Sequence, residues 1–159
     1  KFAQSAGATT TSGTFTATNG AVLTGGTFGV TAGTVTAGGT GLINDGATVN
    51  ASGGAFKGEI TNKSAGTFNV TGAVTGDNKF TNTGGGSTLA VSATGDFSGV
   101  TALPNAAGAA ITVAAGGKLS SATFDQTGGS TTNAGGMTVT GAATVSGGTV
   151  GNSGTLLVG

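Results

Sequence analysis

No histidine, cysteine, tryptophan or tyrosine occurs among the 159 residues of this chain, and proline occurs once. Without His or Cys, the commonest general base, the thiol nucleophile and the usual zinc ligands are missing. Without Cys, no disulfide staples the fold, which by itself leaves the compartment open. Charge is scarce too: five lysines, no arginine and five carboxylates give a net charge of zero. So few cations form no basic patch, and no nucleic-acid partner is expected. No apolar run reaches the roughly 18 residues of a membrane-spanning helix. The aromatic girdles of a membrane barrel would need Trp or Tyr. No signal peptide is visible at the start, and Lys1 fits either a mature N-terminus left by cleavage or a cut inside a longer chain.

Glycine is abundant, with 35 residues, while Leu, Ile, Val and Phe together number 31. That apolar content reads as disorder only when net charge is high; here net charge is zero and the apolar residues are periodic, so a folded chain is expected. The period shows in a recurring apolar-x-apolar triad. It appears at Phe28/Val30, Phe68/Val70, Leu89/Val91, Ile111/Val113, Met137/Val139 and Leu156/Val158, at intervals of 40, 21, 22, 26 and 19. The interval of 40 is two periods, with Val49 near its middle. Between triads lie two further apolar stations, among them Phe80, Phe97, Leu119, Phe124 and Val145.

Short strands separated by glycine at this period are the mark of a coiled β-solenoid. Alternation turns both apolar residues of a triad inward and the middle residue outward. The expected fold is therefore all-β: a parallel β-helix of roughly triangular section, about 20 residues per coil and six to eight coils. With strands about 4.8 Å apart, the rod would be about 30–40 Å long. The expectation is one β-solenoid domain over residues 1–159, alone or as a segment of a longer rod.

An asparagine precedes almost every triad: Asn44, Asn62, Asn82, Asn105, Asn133 and Asn152. Asn tolerates left-handed backbone and bonds its own turn, so these read as corner residues. Stacked corners would let each amide bond the next in a ladder. Residues 102–108, with Pro104, read as a wide turn, and residues 126–135, nearly devoid of apolar side chains, as a second bulging loop.

No catalytic, cofactor-binding or metal site is expected. Asp45, Glu59, Asp77, Asp96 and Asp125 are spread along the chain. Asp77 and Asp96, 19 residues apart, would be stacked on adjacent coils, and both read as solvated corner residues rather than a calcium site or catalytic pair. Gly84-Gly85-Gly86 lacks the Lys-Ser/Thr of a phosphate loop and reads as a turn. The five lysines read as single surface charges that discourage unwanted edge pairing. Thr-x-Thr pairs occur at 9/11, 14/16, 34/36, 81/83 and 138/140. An ice-binding face needs one such pair per coil in register, and only 14/16 and 34/36 are a period apart, which leaves ice binding a minor alternative.

Segments such as Ala65-Gly66-Thr67-Phe68-Asn69-Val70-Thr71-Gly72, Phe80-Thr81-Asn82-Thr83-Gly84 and Val150 to Gly159 resemble the repeats of autotransporter passenger domains and haemagglutinin-like adhesins of Gram-negative bacteria. The resemblance covers nearly the whole chain, through a degenerate, compositional motif. It implies a right-handed parallel β-helix, export to the cell surface, and an adhesive or stalk role towards a host or neighbouring cell. The membrane barrel and secretion-recognition domain of such families have no counterpart within 1–159. The alternative expectation is an extracellular filament or sheath subunit that polymerises with copies of itself, end to end or laterally. Gly154 to Gly159 form a full strand motif, Lys1 to Gln4 a starting strand, and neither end shows a polar cap.

Overall fold

In the computed structural model, which describes residues 1–159, every regular element is a β-strand. Gly and Thr abound while Glu, Lys and Arg are scarce, and β-branched Val and Thr alternate with small residues and suit a pleated surface. Glycines, many with positive φ, close the turns between strands.

The strands form eight coils. The first holds β1 (Phe2–Gln4), β2 (Ala8–Thr11) and β3 (Thr14–Ala17). Above it come β4 (Ala21–Leu23), β5 (Thr27–Val30) and β6 (Thr34–Ala37), then β7 (Leu42–Asp45), β8 (Thr48–Ala51) and β9 (Gly54–Lys57). The fourth coil is β10 (Ile60–Lys63), β11 (Thr67–Val70) and β12 (Ala73–Gly76). The fifth begins with β13 (Phe80–Thr83) and β14 (Thr88–Val91) and runs into β15 (Asp96–Ala106), which rounds a corner into the sixth. After β16 (Ala110–Val113), β17 (Lys118–Gln126) likewise carries the sixth coil into the seventh, completed by β18 (Ser130–Asn133) and β19 (Gly136–Val139). The last coil is β20 (Ala143–Val145), β21 (Thr149–Asn152) and β22 (Thr155–Val158).

Each strand pairs in parallel with its counterparts one coil below and above. The second strand of every coil forms one eight-stranded sheet, β2-β5-β8-β11-β14-β16-β18-β21. The other fourteen strands form a single sheet bent over two faces, because β15 and β17 run through the corner between them. Between Phe97 and Val100 the register of β15 on β17 shifts by a bulge, which lets a strand bend there. The coiled, parallel, three-strand plan is the solenoid that the period predicts, with about 20 residues per coil.

Twenty-eight buried apolar residues fill the axis in one cluster. Phe56, Phe68, Phe80 and Phe97 meet at its middle with ring centroids 5.0–5.9 Å apart, and Phe2, Phe15 and Phe28 meet near its start.

Four sequence expectations are corrected. Residues 126–135 are not a bulging loop: β18 lies there, with Thr131 and Asn133 turned inward. Residues 102–108 are not simply a wide turn, since β15 reaches Ala106 and buries Leu103 and Asn105. Met137/Val139 and Leu156/Val158 do not continue the triad column. Ile111 pairs with Thr131 and then Val150, while Met137 pairs with Leu119 and Leu156 on another face. The interval of 26 is thus a change of face. Finally, Val145, Leu156 and Val158 are exposed, because no coil lies above them.

Candidate functional site

The remaining residues predicted for the core, Phe28, Val30, Val49, Phe68, Val70, Phe80, Leu89, Val91, Phe97, Ile111, Val113, Leu119, Phe124, Met137 and Val139, are all buried. Phe28, Val49, Phe68, Leu89 and Ile111 stack as one column of the eight-stranded sheet.

The asparagines are not at the corners as expected. Asn44, Asn62, Asn82 and Asn105 are strand residues, fully buried, with side chains pointing to the axis. They form a ladder: Asn44 Nδ2 donates to Asn62 Oδ1 at 2.7 Å, Asn62 to Asn82 at 2.9 Å, Asn82 to Asn105 at 3.0 Å, and Asn105 to Gln126 Oε1 at 3.2 Å. Each amide also donates to a backbone carbonyl at the next corner: Thr67, Thr88, Ala110, Ser130 and Thr149 in turn. The column therefore satisfies buried amides and pins successive turns together. Asn133 and Asn152 belong to the neighbouring sheet as a separate pair, 2.7 Å apart. Gln126 is the member that sequence reading missed. Its separation of 21 from Asn105 fits the preceding steps of 18, 20 and 23 better than Asn133 does.

Two amides show the rule by breaking it. Leu23 stands beneath Asn44 in the register and offers no donor, so Asn44 Oδ1 is unpaired. Gln4 starts the column, and its Oε1 is likewise unpaired.

The carboxylates do not converge. Asp96 pairs in register with Ala73, so Asp77 and Asp96 are not stacked; Asp77 instead accepts a bond from the Gly58 amide at 2.9 Å. Asp45 pairs with Lys63 at 3.2 Å and Glu59 with Lys79 at 3.3 Å, on the surface. A hydrogen bond from Ser64, then Lys63, holds the Asp45 carboxyl below its ordinary value. No three potential metal-ligating side chains come together.

Two shallow open depressions, about 280 and 430 Å³, adjoin at Ser120 where β15 and β17 bend. Hydroxyls of Ser98, Thr101, Ser120, Thr138 and Thr140 line them, with Asp96 and Lys118 at one side. Together they form an open trough lined by small side chains.

The outer face of the eight-stranded sheet is a regular surface that runs through all eight coils. Its strands carry no charged residue. Thr27, Thr48, Thr67 and Thr88 stand in one outward column, and beside them Asn69 bonds Asn50 at 2.9 Å. The Thr-x-Thr array is short by comparison: Thr14 and Thr16 stack under Thr34 and Thr36, and Ala55 and Lys57 follow in their place.

No protein-family model matches the chain, and no curated protein or solved structure matches it.

Proposed function

We propose that this chain is a non-catalytic structural rod of a bacterial surface or secreted protein, and that it is adhesive along one side. The observation that carries this reading is the uninterrupted register of the eight-stranded sheet, which presents a flat, uncharged hydroxyl and amide surface on an internally bonded shaft. Such a surface suits a neutral, hydroxyl-rich partner surface of a host or neighbouring cell. Scattered carboxylates and the lack of His and Cys favour a mechanical role over a chemical one. An uncharged, repetitive Thr/Asn/Gly surface favours an extracellular setting, as does the resemblance to surface adhesins.

Beads coated with the purified chain are expected to adhere to bacterial or host cells. Thr112→Lys with Thr132→Lys, at exposed paired positions of that face, should remove adhesion without lowering the melting temperature. The Val91→Asp chain, which buries an unpaired charge and cannot fold, is the non-adhesive control. Equal adhesion by all three would remove the adhesive part of the reading and leave a spacer.

A further inference from the structure

All ten charged residues of the chain lie outside the strands of the eight-stranded sheet. Every one of those strands turns a threonine outward. Thr27, Thr48, Thr67 and Thr88 stand in the first outward column, and Thr112 and Thr132 follow in the second. Thr10 on β2 and Thr149 on β21 complete the set. The other outward positions hold only Gly, Ala, Ser or Asn, so the face carries short side chains throughout. The seven pairings of this sheet run without a bulge, whereas the other sheet shifts its register between Phe97 and Val100.

These threonines escape a search for Thr-x-Thr pairs, because no strand of this sheet has Thr at both outward positions. The Thr9/Thr11 pair is on the inward side, in register with Phe28 and Val30. The outward array is assembled across coils, by the register, and not within a strand.

Coils repeat about every 4.8 Å, and the two outward columns lie about 6.6 Å apart. Both spacings are close to repeats between oxygens on faces of the ice lattice. A hydroxyl donates and accepts as water does, so water held by a threonine can take its place in that lattice. A charged group would turn neighbouring water towards itself and break the order, and this face has none. A soluble ligand needs one site. A group repeated in every coil is matched by a partner that is itself periodic. Each contact is weak, but a rigid shaft holds all of them in place at once. We propose that this face binds the surface of ice. The proposal rests on the reading of the chain as a rod adhesive along this side, and it names crystalline water as the neutral, hydroxyl-rich partner.

Ice grown slowly in a solution of the purified chain tests this, by nanolitre osmometry and by partition of the chain into the ice. The wild type should facet the crystals, open a gap between melting and freezing points, and enter the ice. Thr67→Lys places a charge in the middle of the array; it should melt like the wild type and lose all three effects. Should Thr67→Lys lose the fold, Thr132→Lys, at an exposed position, takes its place. Thr75→Lys adds the same charge to an exposed position of the other sheet and should keep all three. A wild-type chain that ignores ice would overturn the proposal. So would a folded Thr67→Lys chain as active as the wild type, or a folded Thr75→Lys chain as inactive as Thr67→Lys. Cell adhesion by a chain that ignores ice would leave the adhesive reading standing, with a cell-surface glycan as the partner.

Discussion

Ser87 is buried with its hydroxyl unpaired, one place before a strand whose partners carry Gly66 and Ala109 at the same point. A buried donor without a partner forfeits its hydration and regains nothing. Ser87→Ala is therefore expected to raise stability by about 1 kcal/mol and the melting temperature by about 2–4 °C, read by calorimetry. An unchanged or lower midpoint would mean that the hydroxyl finds a partner in solution. Ser121 shares the condition: it stands between Val100 and Val139 in the register with its own hydroxyl unpaired. Both serines occupy stations where neighbouring coils use small or aliphatic residues, so each is a local cost that packing elsewhere offsets.

Among elements, the amide column does what a hydrophobic column cannot. Apolar side chains fill space without specifying which strand lies above which. An inward Asn accepts from the coil below, donates to the coil above and ties the next corner. Asn82 makes all of these contacts, whereas Asn152, in the last coil, is exposed and bonds only Asn133 and the Gly154 carbonyl. Asn82→Ala is expected to cost about 2–4 kcal/mol, since it orphans buried partners on both sides. Asn152→Ala should cost less than about 0.5 kcal/mol. Urea titration of the two variants measures the difference, and equal costs would show that the ladder contributes nothing beyond ordinary surface bonds.

For the molecule as a whole, acid is the informative stress, because the chain has no histidine to titrate near neutrality. The fold holds the Asp45 carboxyl below its ordinary 3.8 through Ser64 and Lys63. A carboxyl with a depressed folded value contributes stability above its unfolded value, and that contribution disappears as pH falls through the folded one. The melting temperature should thus drop on acidification below about pH 4. Because the pair is largely exposed the drop is small. Asp45→Asn should show a smaller drop over the same range, and an identical drop in both would place the acid sensitivity elsewhere.

Period, strand content and inward alternation were readable in the sequence because they are properties of the backbone: successive side chains point to opposite faces, and glycine ends each run. Phe28, Phe68, Leu89 and Ile111 could be assigned to one column because the turns between them vary little. Column membership elsewhere could not be read by counting. From strand start to strand start the chain takes six residues in the first coil and eight between β13, β14 and β15, so a count does not say when a corner is passed. Spacing alone therefore groups Asn133 with Asn105, where Gln126 holds the place, and sets Met137 above Ile111 instead of Leu119. The asparagine spacing predicted a ladder, but only the register shows that it runs inside the shaft rather than along the corners. Exposure of Val145, Leu156 and Val158 was equally out of reach, because burial in a solenoid depends on the coil above, which local sequence does not record.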